Sequence, residues 1–370
     1  MNACDFRIAL IGPLPPPYGG MANQTRQLAE LLRGEGVAVE MIQVNAPYRP
    51  AWLGHLRGVR SLFRLLPYLA HLWVAAGRNN LFHVMANSGW SWHLYAAPAI
   101  WIARLRGTGV VVNYRGGEAE AFFARAFSWV KPSLMRTSAI VVPSGFLASI
   151  FAARGFATRI VPNIVSLECF TATSVAEKPA APHLLVARNL EPLYDNATAL
   201  RAFARIRQQY PSARLTIAGS GPERNLLEQL ARSLGIADAV TFAGRVENTE
   251  MPAVYRTVRI ALNPSLADNM PISILEALAS GVPVVSTNVG GVPFLVENEK
   301  TALLVPPGDA EAMAAACMRI LADTQLAQRL IDAGQALARE FAWSQVRGRL
   351  FDVYREALDG STRLPARVVR

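Results

Sequence analysis

The segment best suited to chemistry is Asn263-Pro-Ser-Leu-Ala-Asp268-Asn-Met-Pro-Ile-Ser-Ile-Leu-Glu276, followed closely by Gly281-Val-Pro-Val-Val. A strand ends near Pro264, a polar loop follows, and Pro271 stands where a first helical turn can begin. The amides of Asn269, Met270 and Ile272 then lie at a helix start, where unpaired donors and the positive dipole end favour a phosphate. Asp268 precedes the helix and Glu276 stands eight residues later, a little over one turn inside it. Each carboxylate can accept hydroxyl hydrogen bonds, from a sugar ring at Asp268 and from a ribose at Glu276. Plainer uses exist: Asp268 as an N-terminal cap, and Glu276 as an exposed helix carboxylate. The apolar neighbours Leu275, Ala277 and Leu278 argue against the second.

Such a loop needs a scaffold, and the chain supplies one twice. Short apolar runs alternate with longer periodic stretches, the pattern of parallel sheets covered by helices. In the first half, strands are expected at 7–12, 37–44, 81–85, 110–114, 139–143 and 158–162, with helices at 20–34 and 145–154. Residues 171–182 are small, polar and proline-bearing, and read as a linker. A second series has strands at 183–187, 214–218, 240–242, 260–263, 282–286 and 302–305. Its helices fall at 196–209, 223–234, 272–280 and 310–322. The fold class is therefore α/β, with two doubly wound units whose strand ends would line a cleft. At 370 residues the chain is long enough for two such cores.

Charge is distributed unevenly. The net charge is +10, and residues 1–165 hold sixteen basic against six acidic residues, while the rest balances. No Asp or Glu stands between Glu40 and Glu118, where eight arginines fall. Such a surface attracts anions, among them phosphorylated ligands and acidic lipid headgroups. Residues 51–77 carry Trp52, Leu53, Leu62, Phe63, Leu66, Leu69 and Trp73 at helical spacing, with Arg57, Arg60 and Arg64 between them. That suits an interfacial helix, or equally a helix packed on a sheet with its arginines in water, and Pro67 is expected to kink or split it. Residues 79–103 lack formal charge, but their polar first half leaves too short an apolar run to span a membrane. The first residues lack a basic segment before an apolar run, so no secretory leader is expected.

The spacing of Asp268 and Glu276, with Gly281-Val-Pro-Val-Val and Gly290-Gly-Val-Pro after it, resembles the signature of retaining glycosyltransferases of family 4. That motif has Glu, seven residues, then Glu; this chain has Asp at the first place. Pro15-Pro-Pro-Tyr-Gly-Gly20, Pro143-Ser-Gly-Phe, Val161-Pro-Asn163, Ala218-Gly-Ser-Gly-Pro222, Phe242-Ala-Gly-Arg245 and Leu304-Val-Pro-Pro-Gly-Asp309 resemble further segments of the family, in order. The resemblance covers about residues 7–340 and implies the GT-B fold: a basic N-terminal acceptor domain at 1–165, a linker at 166–182 and a nucleotide-sugar donor domain at 183–340. A C-terminal helix within 341–370 would return to the first domain, followed by a basic tail.

The resemblance also implies roles. Glu276 would take the ribose and Asp268 the transferred sugar, with Asn269, Met270, Pro271 and Ile272 at the diphosphate and Arg245 and Val246 near the base. Gly19 and Gly20 would bring main-chain amides to the phosphates, as glycine permits through close approach and positive φ. The family sets an Arg and a Lys against the diphosphate. Arg188 fits the first place, but Tyr194 stands near the second and brings no charge. Where the family often carries a His after the fourth strand, Arg115 stands here and could supply the missing cation.

The implied activity is transfer of a hexose-type sugar, with retention, to a glycan or lipid-linked acceptor in surface polysaccharide synthesis. It would take place in the cytoplasm at the inner face of a membrane. The nucleotide sugar is a co-substrate, and no cofactor or metal is expected. The five histidines show no ligand spacing and no acidic pair follows a strand. Cys4, Cys169 and Cys317 stand too far apart for a zinc knuckle or a disulfide framework, as in a reducing compartment. An epimerase of the same fold and a non-catalytic assembly or anion-binding protein are the alternatives; the sequence has no aromatic-interleaved basic motif for nucleic acid.

Overall fold

A computed structural model describes residues 6–16, 19–48, 60–171 and 181–360. The expected elements at 51–59 and 172–180, the tail at 361–370 and Cys4 lie outside these residues. The chain divides into two units, 1–163 with 346–370, and 164–345.

In the first unit the elements run β1 (Arg7–Gly12), α1 (Gly20–Gly34), β2 (Ala38–Gln43), α2 (Arg60–Ala76), β3 (Leu81–Ala86), α3 (Ala97–Leu105), β4 (Gly109–Tyr114), α4 (Ala119–Leu134), β5 (Ala139–Val142), α5 (Gly145–Ala152) and β6 (Arg159–Ile160). The strands form one parallel sheet in the order β2-β1-β3-β4-β5-β6. All six residues of β3 are buried, as expected for a sheet covered on both faces. The uncharged stretch at 79–103 is broken into β3, a π-helical turn at Trp92–Ala96 and α3. No helix among the described residues is long and apolar enough to cross a membrane. Helix α2 runs through Pro67 as one element, so the expected split does not occur.

The second unit contains β7 (His183–Ala187), α6 (Asn196–Gln209), β8 (Arg214–Ala218), α7 (Arg224–Ser233), β9 (Val240–Gly244), α8 (Met251–Thr257), β10 (Ile260–Asn263), α9 (Ile272–Ala279), β11 (Val284–Thr287), β12 (Leu303–Val305), α10 (Ala310–Ala322) and α11 (Thr324–Arg339). Its parallel sheet has the order β12-β11-β10-β7-β8-β9, which reverses between β7 and β10. In doubly wound sheets ligands sit beyond the carboxyl ends at such a reversal. Val165 and Phe170 are buried in this unit, Phe170 against Tyr255, so the described start of the expected linker at 166–182 is packed chain.

The last helix, α12 (Trp343–Leu358), closes the first unit. Phe351 and Tyr354 stack on Phe6, and the Tyr354 hydroxyl meets Nδ1 of the fully buried His83 at 2.8 Å. Asn113 donates to Nε2 of the same ring at 3.1 Å, so Nδ1 carries the proton and donates to Tyr354. Burial pushes His83 down to about 3 and keeps it neutral.

Candidate active site

The second-unit site starts from two strand ends flanking the reversal. Arg188 follows β7 and Asp268 lies in the loop after β10. The Arg188 side chain is held from several sides. Its Nε donates to Asn263 Oδ1 at 2.8 Å, one terminal nitrogen meets Asp268 Oδ2 at 2.5 Å, and the Tyr194 ring lies 5.3 Å from its guanidinium carbon. The side chains of Arg188 and Asp268 are only 12% and 13% exposed, so this ion pair is largely dry. Burial raises the Asp268 carboxyl above its ordinary value, opposed by the Arg188 charge and by the amides of Asn269 and Met270.

That last contact corrects an expectation. The Asn269 and Met270 amides bond to the Asp268 carboxylate and do not stand ready for a phosphate. Asp268 thereby caps the turn before the helix. Helix α9 itself begins at Ile272 with Pro271 at its N-cap and no side-chain cap. Met270 and Pro271 are buried, Met270 within the unit's core.

Glu276 lies on α9 as expected. Tyr255 of α8 donates to its Oε2 at 3.3 Å and also reaches the Ser273 carbonyl at 3.1 Å. Burial pushes the Glu276 carboxyl up to about 7, with the Tyr255 bond and the Arg188 charge opposing. Asn263 and Tyr255 are the residues that sequence reasoning missed. Asn263 is fully engaged, accepting from Arg188 and from Ser265 while donating to Ser286 at 2.8 Å. A polar residue closing an apolar strand was the available signal for Asn263; nothing in the spacing marks Tyr255.

Glycines press neighbouring loops onto this site. A Cβ at Gly291 would overlap the Asn269 carbonyl, and one at Gly290, whose φ is +51°, would overlap that of Asp268. The Gly291 amide donates to the Asp268 carbonyl at 2.8 Å. Gly219 and Gly221 similarly abut the carbonyls of Arg188 and Leu190. Gly334 lets α11 pack on Leu278, behind Glu276.

Other expected site residues stand differently. Tyr194 supports Arg188 through its ring, beside a left-handed Asp195 that caps α6. Arg245 is exposed and ion-paired with Glu247, while Val246 is half-buried against the core. In the first unit, Gly19 is extended at the N-cap of α1, and neither Gly19 nor Gly20 has positive φ, against expectation. A Cβ at either would meet open space, so close approach is the use left to them. Arg115 follows β4, and its guanidinium donates to Asn113, Gln24 and Asn163, all within the first unit. Burial lowers it to about 10, which leaves it charged at neutral pH. Among the described residues no cluster of three or more metal-ligating side chains occurs.

Residues 173–337 match the family model described as Glycosyl transferases group 1. A D-inositol 3-phosphate glycosyltransferase from Saccharomonospora viridis is 32% identical over 228 residues, 57% of this chain and 53% of the relative. The chain spans about half or less of the length of the curated relatives it matches. Among solved structures, sucrose-phosphate synthase from Thermosynechococcus elongatus is similar with a TM-score of 0.77 at 22% identity, over 96% of this chain and 100% of that one. The Anabaena protein Alr3699/HepE, solved with UDP and glucose, gives a TM-score of 0.73 at 17% identity, over 95% of this chain and 99% of that one. At these identities the likeness shows the fold alone: α/β of the GT-B type, with two Rossmann-like units.

Proposed function

We propose that this chain is a retaining glycosyltransferase of the family 4 type, moving a hexose-type sugar from a nucleotide-sugar donor to a glycan or lipid-linked acceptor at a membrane surface. The observation that carries the reading is the placement of Arg188 and Asp268 on the two sides of the strand-order reversal, with the half-buried Glu276 on the helix that follows. The group 1 match over this unit supports it, as does the UDP held by the Anabaena relative.

In this reading Glu276 accepts from the ribose hydroxyls and Asp268 from hydroxyls of the transferred sugar. Asp268 is aligned for that by the amides of its own turn. Arg188 and the uncapped start of α9 face the diphosphate. The bond between the anomeric carbon and the diphosphate oxygen breaks, and its electron pair goes to the diphosphate. An acceptor hydroxyl bonds to the anomeric carbon from the same face and gives its proton to the leaving diphosphate. The protein's task is to stabilise negative charge on the leaving group, which falls to Arg188. In the first unit, Gly19, Gly20 and Arg115 are proposed as phosphate contacts. The nucleotide sugar is a co-substrate, and the reading needs no resident cofactor.

The test is slow hydrolysis of nucleotide sugars, together with the rise in melting temperature that nucleoside diphosphates produce. Saturation at a hundredfold over Kd stabilises by about 2.7 kcal/mol. Glu276→Ala should abolish both signals at unchanged fold. No stabilisation by any nucleoside diphosphate would reject the enzyme reading in favour of a non-catalytic anion-binding protein.

A further inference from the structure

Helices α2, α3 and α4 pack side by side in the first unit. Their inner faces are ordinary: Tyr68, Leu72, Ile100, Ala103, Phe123 and Val130 are buried in the core. Their outer faces break the amphipathic rule. Leu66 is 63% exposed, Leu105 71% and Trp129 77%, and Trp73 and Trp101 are exposed as well. Exposed apolar side chains normally come singly, whereas here each of three adjacent helices carries at least one large one.

Cations are interleaved with these side chains. Arg78, Arg104 and Arg106 are exposed, Arg106 lies 4.9 Å over the Trp73 ring, and Arg136 lies 3.8 Å over Trp101. No acid stands between residues 41 and 117; Glu118 and Glu120 come only at the start of α4, and Arg125 and Lys131 follow along it. Tryptophan has an apolar body with a polar edge and suits the boundary between headgroups and acyl chains. Arginine supplies charge opposite to anionic lipid phosphate. A second copy fits poorly, because two such faces would oppose arginine to arginine with hardly an acid to pair.

We propose that the outer face of α2, α3 and α4 seats the protein on an anionic lipid bilayer, with the tryptophans at headgroup depth and the arginines on lipid phosphates. The proposal rests on the reading above that transfer takes place at a membrane surface, and it adds the face that docks.

The experiment is sedimentation of the full chain with vesicles of phosphatidylcholine alone and with vesicles of equal parts phosphatidylcholine and phosphatidylglycerol. Binding is expected to the mixed vesicles only, with release by high salt. An arginine near an anionic surface contributes about fivefold in affinity, so Arg78→Ala with Arg104→Ala should weaken binding about 25-fold. Leu105→Ser and Trp129→Ser should weaken it too, without lowering the melting temperature, since both side chains are outside the core. Equal pelleting with both vesicle types, or binding that ignores all these replacements, overturns the proposal. So does a dimer in sedimentation velocity that Leu105→Ser dissociates. Nucleoside diphosphate stabilisation, read on the same samples, separates the two readings. Its persistence without vesicle binding removes the docking face alone, and its absence with vesicle binding removes the donor site alone.

Discussion

The fully buried Tyr255 phenol of α8 donates to the half-buried Glu276 carboxylate of α9 at 3.3 Å. The bond favours the ionised carboxylate, while burial favours the neutral acid and wins, leaving Glu276 at about 7. The residue assigned to the ribose therefore changes charge in the neutral range.

Nucleoside diphosphate affinity should rise as pH climbs through about 7 and level off above it, because the ionised form accepts both ribose hydroxyls. Titration calorimetry on wild type against Glu276→Gln isolates this rise from the nucleotide's own phosphate titration. Tyr255→Phe removes the donor and should move the rise to higher pH. A profile shared by wild type and Glu276→Gln would refute the assignment.

Two groups, the buried His83 and the half-buried Glu276, drive stability in opposite directions with pH. The folded His83 value is depressed to about 3 while the unfolded chain takes a proton near 6.5. Stability from this group is therefore lost as pH falls below 6.5, by about 1.4 kcal/mol per unit. The folded Glu276 value is raised to about 7 against 4.5 unfolded, so its contribution grows at the same rate as pH falls from 7 to 4.5. Asp268, raised by burial, adds to the second side. Wild type should thus be nearly flat between pH 6.5 and 4.5. Urea unfolding of Glu276→Gln should show a steeper acid loss, and His83→Gln a gain. Parallel curves for all three proteins would contradict this balance.

Replacing Arg188 by Ala strands a dry Asp268 carboxylate and should cost about 3–5 kcal/mol in urea unfolding. Arg188→Lys keeps the charge but cannot fork between Asn263 and Asp268, so it should retain more stability and still lose donor hydrolysis. Full hydrolysis by the Lys variant would show that the fork is dispensable.

Glycine replacements should separate packing from approach. Gly291→Ala drives a Cβ into the Asn269 carbonyl and should cost about 1–3 kcal/mol, with weakened nucleoside diphosphate binding. Gly20→Ala meets nothing and places alanine in the first turn of α1, so thermal unfolding should show it unchanged or slightly more stable. A Gly291→Ala protein as stable as the wild type would mean that the close contact relaxes freely.

Much of the scaffold could be read from periodicity. All twelve expected strands are present, because buried parallel strands are continuous apolar runs bounded by turn residues. Helices α3, α4, α8 and α11 were not anticipated. The Ala-rich stretch at 119–134 and the polar one at 324–339 show their buried faces only once neighbours are in place. In the site, Asp268 and Glu276 were legible because their spacing is local to one loop and helix. The partners were not. Arg188 meets Asn263 across 75 residues and Asp268 across 80, through strand order that no local pattern encodes. Likewise, Arg115 is gripped by Gln24 and Asn163 from remote segments, partners that no local pattern encodes.

The docking of α12 on Phe6 and His83 has a consequence for synthesis. The second unit is one unbroken stretch, 164–345, and can fold as soon as it leaves the ribosome, whereas the first unit waits for its closing helix. At about 5–20 residues per second that wait lasts roughly 10–40 s. Throughout it, the nascent chain leaves Phe6 and His83 without the rings that cover them, an opening for chaperones during translation.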